Sequence, residues 1–173
     1  VKVSIIPRGK TLGAAWYLPE EKKLVSETAF TEHLSATLGG RASEQLIFGE
    51  VSSGALDDLE KVTKEAYMMV VYYGFNKKIG NISFYDSSGQ CDYSIQKPYS
   101  EETGKLIDEE VRKLVGDAYQ RALELLQQNK SSLQKLAEQL LKKEILFKED
   151  IELILGARPS DKEKADAAVN QVS

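Results

Sequence analysis

The stretch "VSSGALDDLEKVTKEAYMMVVYYG", residues 51–74, decides how the chain folds. Leu59, Val62, Ala66, Met69, Val70 and Tyr73 recur at steps of three and four, the spacing of one helix face, and Gly74 stands where such a helix ends. A helix patterned this way buries its stripe against neighbours, so the architecture around it is helical. Its first turn carries two adjacent carboxylates, Asp57 and Asp58. At about 100° per residue, with Asp58 at zero, the apolar residues lie between about 20° and 120°. Asp57, at about −100°, then points away from the core, while Asp58 sits at the border of the packing face. Asp57 is a solvated charge that favours the helix N-terminus by about 0.3–1 kcal/mol. Asp58 is either the same, the commoner case, or a side chain facing a groove.

Upstream, "VKVSIIPRG" places Val1, Val3 and Ile5 at period two. Pro7, Gly9 and Gly13 punctuate a turn before the second extended run, "LGAAWYLP", and the two runs predict a short antiparallel pair. From Ser26, a capping residue, Phe30, Leu34, Leu38, Ala42 and Leu46 step by four and predict one helix. Gly39 and Gly40 inside it cost helix stability, which implies a bend or a close packing contact.

Downstream, residues 76–99 are rich in Gly, Ser and Asp and read as a loop between short strands, closed by Pro98. Ser100 caps a long helix with Ile107, Val111, Leu114, Ala118, Ala122 and Leu125 on one face and acidic residues in its first turn. Another helix runs through Leu133, Leu136, Leu140 and Leu141, and a short one, "KEDIELILG", stops at Gly156. The polar segment after Pro159 is expected to be a disordered tail over 160–173, leaving residues 1–159 as one folded domain. The fold class is mainly α with a small antiparallel β element.

Composition narrows the functional classes. In 173 residues, 27 acidic and 23 basic side chains are mixed along the length with no basic stripe, which argues against a nucleic-acid partner. Cys91 is the one cysteine, so no intramolecular disulfide forms and a reducing compartment fits. No apolar run approaches the roughly eighteen residues that span a bilayer, so the chain reads as soluble. It begins at Val1 in mid-pattern, as an excised piece of something longer would.

No complete active site is visible. A single histidine, His33, excludes HExxH and any imidazole pair, and neither GxxxxGK[ST] nor GxSxG occurs. His33 reads as an ordinary helix residue and Cys91 as an incidental thiol, so the expected catalytic and cofactor-binding residues of this chain are none. Glu44 lies three residues after Arg41, the spacing of an ion pair.

Six blocks in order, "VKVSIIPRG", "LGAAWYLPEE", "TLGGRASEQLIFGE", "SSGALDDLEKVT", "KPYSEETGKLIDEEV" and "LLKKEILFKEDIELILGARP", resemble the peptidase domain of the FtsH family, membrane-anchored ATP-dependent zinc proteases with relatives in the mitochondrial inner membrane. The resemblance runs from Val1 to about Pro159. It implies a helical zinc metallopeptidase domain that follows a separate AAA ATPase module and membrane segments. The assembly it implies is a hexamer at the cell inner membrane facing the cytoplasm, or at the mitochondrial inner membrane, acting on unfolded or misassembled proteins. It also implies that Asp58, the second acidic residue of "SGALDD", is a zinc ligand, completing a site whose two histidines and general-base glutamate belong to an HExxH helix upstream of the first block. By the same resemblance "LGAAWYLP" is an edge strand for substrate, beside the plainer reading that Trp16 and Leu18 pack the sheet, and Glu44 is a neighbour of the metal ligands, beside the plain ion pair. Without HExxH this chain alone is expected to be inactive; the rival expectation is a non-catalytic helical assembly module.

Overall fold

A computed structural model describes residues 1–7, 9, 13–16, 24–86 and 98–156. Cys91, Leu18 and the expected tail over 160–173 lie outside the described residues. The chain divides into two compact units: Lys22–Gln128, and Val1–Glu21 together with Asn129–Ser173. The architecture is mainly helical with a small antiparallel sheet.

The Lys22–Gln128 unit is built around the helix read first. Helices α1 (Glu27–Thr37) and α2 (Gly39–Phe48) precede a 3₁₀ turn at Ser53–Ala55, which leads into α3 (Leu56–Val71) and later α4 (Glu101–Gln128). Ser26 caps α1 by accepting a hydrogen bond from the Ala29 N–H at 3.2 Å, as the sequence predicts. The single helix expected from Ser26 is interrupted at Leu38, yet Leu38 N–H donates to Leu34 C=O and Ala42 N–H to Leu38 C=O. The interruption is therefore a bend beside Gly39 and Gly40. A Cβ added at either glycine would meet nothing within 4 Å, so neither makes the close packing contact that is the other expectation.

Leu34, Leu38, Val62, Ala66, Met69 and Ala118 form one buried cluster, with Phe30, Leu59, Phe75, Val111, Leu114, Val115 and Tyr119 packed against it. Each fully buried large apolar side chain contributes about 1.5–3 kcal/mol relative to leaving it in water. The predicted stripe of α3 thus faces α1 and α4. Gly74, at φ +65°, takes the left-handed conformation that ends α3, and Phe75 N–H reaches back to Met69 C=O at 3.2 Å.

That reversal sends residues 75–86 back along α3. Phe84 N–H donates to Val71 C=O, and Val70, Val71, Ile79 and Ile107 make a second buried cluster with Tyr67, Tyr72, Phe84 and Tyr99 against it. Asn76 donates to Glu110 at 2.8 Å and Lys78 pairs with the same carboxylate, which fixes the returning segment to α4. Those two donors, Lys78 first, hold the Glu110 carboxyl below its ordinary range. Among the described residues 76–86 hold no strand, against the expectation of short strands there, because this segment finds its backbone partners in turns and in α3. Ser100 caps α4 through the Thr103 N–H at 3.2 Å.

The other unit holds a three-stranded antiparallel sheet of order β2-β1-β3: β1 is Lys2–Ser4, β2 Ala14–Trp16 and β3 Ile145–Phe147. The predicted pair exists, with Val3 opposite Ala15, and the sheet gains β3, with Leu146 opposite Val3 on the other side. The period-two reading of β1 holds less well: Ser4 is buried while Ile5 is exposed. A Cβ on Gly13 would stand 2.8 Å from the Ser4 carbonyl oxygen, so only glycine permits this approach of the two strands. Helix α5 (Lys130–Lys143) ends at Glu144 in the left-handed region, φ 60°, and α6 (Lys148–Leu155) ends at Gly156. Leu140 is buried, but the predicted partner Leu141 is exposed. Among the described residues no helix is long and apolar enough to cross a membrane.

Candidate functional site

The first turn of α3 carries Asp57 and Asp58 in the orientation that helical geometry predicts. Asp57 is exposed; Asp58 is half-buried at the border of the packing face, with 42% of its side chain exposed. Its ion-pair partner is Lys61, one turn along, at 3.7 Å from Nζ to Oδ1. This contact is too long to saturate a carboxylate, so Asp58 keeps lone pairs available to a further partner.

Two connections steady this end of α3. Glu44 on α2 accepts from the Ser52 N–H at 2.9 Å and from the Ser52 hydroxyl at 2.8 Å, and the same hydroxyl oxygen accepts from Gly54 N–H at 3.1 Å, capping the 3₁₀ turn. The Ser52 backbone bond, then its hydroxyl, lowers the Glu44 pKa; Arg41 adds only a smaller Coulombic pull. The Arg41–Glu44 ion pair expected from spacing does not form: Glu44 turns instead to Ser52 and braces the loop before α3. Farther along, His33 Nδ1 lies 2.9 Å from Glu65 Oε2, joining α1 to α3, with the imidazole donating because an ionised carboxylate only accepts. His33 thus has a structural partner that its sequence neighbourhood does not announce. The Lys61 contact has the i, i+3 spacing of a helix surface pair, whereas the Ser52 and Glu65 partners follow from no local spacing.

Zinc needs three protein donors in a catalytic site. Among the described residues no group of three His, Cys, Asp or Glu is placed to hold a metal ion. Asp58 fits zinc as one oxygen donor, half-exposed and loosely held, and the described residues do not complete the set. The sheet offers a separate feature: β2 is an edge strand, its Trp16 half-exposed with the Lys2 ammonium 5.3 Å from the ring centre.

Comparison with known proteins places these features in a family. Residues 1–154 match the model of peptidase family M41. The chain is 53% identical over 158 residues to the ATP-dependent zinc metalloprotease FtsH of Parabacteroides distasonis, covering 91% of this chain and 23% of that protein. It is 50% identical over 159 residues to the mitochondrial inner membrane m-AAA protease component AFG3L2 of Mus musculus, covering 92% of this chain and 20% of the relative. With FtsH of Karelsulcia muelleri it shares 49% over 154 residues, 89% of this chain and 25% of the relative. The chain spans a quarter or less of the length of these relatives. On the extent of the family match and on identities near one half, the chain belongs to peptidase family M41.

Proposed function

We propose that this chain is the C-terminal portion of the peptidase domain of an ATP-dependent zinc metalloendopeptidase, and that Asp58 is one of its zinc ligands. The observation that carries the reading is the half-buried Asp58 carboxylate in the first turn of α3, loosely paired with Lys61 in a family M41 chain. The relatives' names supply zinc, ATP and proteolysis, and one of them a mitochondrial inner membrane. Zinc in such a site polarises the scissile carbonyl and acidifies its bound water.

This chain's own residues orient and support. Glu44 and Ser52 set the start of α3, α1 and α4 bury its stripe, and Asp58 would supply one carboxylate oxygen to the metal. The chain has one histidine, so the histidine pair and the general base come from outside it, and the chain alone is inactive. β2 offers backbone donors and acceptors to an extended segment of an unfolded protein whatever its side chains are. The whole protein binds ATP in a separate AAA module and works as a hexamer anchored in a membrane, the cell inner membrane with the peptidase facing the cytoplasm or the mitochondrial inner membrane. Its substrates are unfolded or misassembled proteins.

The test is Asp58→Asn in the longer protein that carries the upstream residues. Zinc content by atomic emission and cleavage of an unfolded protein are both expected to be lost. Retention of both would overturn the assignment of Asp58.

A further inference from the structure

We infer that Trp16 is a specificity-determining residue: in a protein segment paired to the free edge of β2 it selects an aromatic side chain at the position opposite and, with Lys2, disfavours a basic one there. The inference rests on the proposed reading that β2 accepts an extended segment of substrate. The register puts Lys2 opposite Trp16 on one side and opposite Phe147 on the other, so the three side chains form one row across one face of the sheet. Val3, Ala15 and Leu146 make the next row, on the opposite face, and Leu146 there is fully buried. The row with Trp16 is the open one, Trp16 being 44% exposed and Phe147 53%. Ser4, two residues along on the same face, is buried, so the opening lies at the Lys2 end of the sheet.

Strand order sets what each side of Trp16 meets. Lys2 belongs to β1, and its ammonium stands over the indole at 5.3 Å from the ring centre, close enough for a cation–π contact. The free edge of β2 lies on the other side of Trp16, since among the described residues no strand pairs there. A chain added to that edge lies about 4.8 Å away, and in either direction its residue opposite Trp16 falls on the Trp16 face. Cross-strand neighbours of this kind interact directly, and aromatic pairs are among the favourable ones. A lysine or arginine at that position would bring a second cation to a ring whose negative face Lys2 already engages, and the two like charges repel. Main-chain bonds to β2 hold any sequence, and Trp16 adds a preference at one register position.

Peptide cleavage by the longer protein that carries the upstream residues tests this. Tyrosine, alanine or lysine is placed in turn at each position of one cleavable peptide, and kcat/KM is compared. At one position tyrosine is expected to exceed alanine by about 1.5- to 5-fold, the worth of a cross-strand aromatic pair, with lysine no better than alanine. Trp16→Ala is expected to bring the tyrosine-to-alanine ratio to about one, and Trp16→Phe to keep it. Lys2→Gln is expected to raise the lysine peptide relative to alanine; a lysine peptide unmoved by that change refutes the part given to Lys2. A tyrosine preference that survives Trp16→Ala, or a Trp16→Ala loss shared equally by all three peptides, overturns the inference: the first removes Trp16 from selection and the second makes it a packing residue of the sheet. N-methylation of successive peptide amides tests the reading beneath. Losses at alternate amides are the mark of strand addition; their absence refutes the β2 reading itself, whereas alternate losses with selectivity indifferent to Trp16 refute only the side-chain role.

Discussion

Leu34→Ala measures how much of the helical unit depends on the contact between α1 and α3. Leu34 is fully buried in the cluster with Val62, Ala66 and Met69. Truncation removes three carbons at about 0.8 kcal/mol each, a transfer loss of about 2.4 kcal/mol. If the neighbours do not relax, a void of about 80 Å³ at about 24 cal/mol per Å³ adds roughly 1.9 kcal/mol. The loss should therefore lie between about 2.4 and 4.3 kcal/mol, with little offset from helix propensity because leucine and alanine are both good helix formers. Urea unfolding followed by circular dichroism reads it as a lower midpoint at unchanged slope. Leu141→Ala, at a side chain 76% exposed, is the control and should shift stability by less than about 0.5 kcal/mol. A Leu34→Ala loss below about 1 kcal/mol would refute the reasoning, since no site described as fully enclosed can give up three carbons so cheaply.

Glu144→Gly should stabilise the sheet-bearing unit by about 1 kcal/mol, because Glu144 holds φ 60° where a Cβ is penalised; thermal unfolding checks it, and a lower midpoint would count against the strain argument. Glu110→Gln should flatten the acid limb of the stability profile. The Glu110 carboxyl is held below its unfolded value by Lys78 and Asn76, so its contribution is complete above the unfolded pKa of about 4.3 and is lost as pH falls through the lower folded one. Lys78 is raised by the same pair, so that contribution is complete below its unfolded pKa of about 10.4 and is lost as pH rises through the higher folded one. Urea midpoints between pH 2 and 6 that fall equally in both proteins would remove Glu110 from the account.

Periodicity made the helical framework legible. Val62, Ala66 and Met69 follow from spacing and are buried because α1 and α4 cover one stripe, while Val70, on the same stripe, is buried in the second cluster beside Ile79 and Ile107. Val71 and Tyr67 fall outside that stripe and still join a core, since an irregular segment with no period of its own folds over the back of α3. Tyr73 matched the pattern but is half-exposed, because the chain leaves the helix at Tyr72. Leu125 likewise matched on α4 and is half-exposed. β3 escaped notice because three residues, Ile145–Phe147, are too few for alternation to register and they sit between two helices. At the site, helical angles alone placed Asp58 at a border and Asp57 outside. The bond between His33 and Glu65 spans 32 positions, and no local pattern carries that information.

The return of the chain at Gly74 makes α3 unequal along its length. Its C-terminal half is gripped on two sides, by the stripe's partners and by residues 75–86, whereas its first turn is clamped on one side and braced by Glu44 through Ser52. Mechanically this is a cantilever: the root is fixed in the core and the tip bears Asp58. Small displacements concentrate at the tip without disturbing the root, because opening a terminal turn breaks few buried contacts. On the proposed reading of Asp58 as a zinc donor, a carboxylate carried there would adjust to a coordination sphere built by other segments while the core that carries it stays fixed.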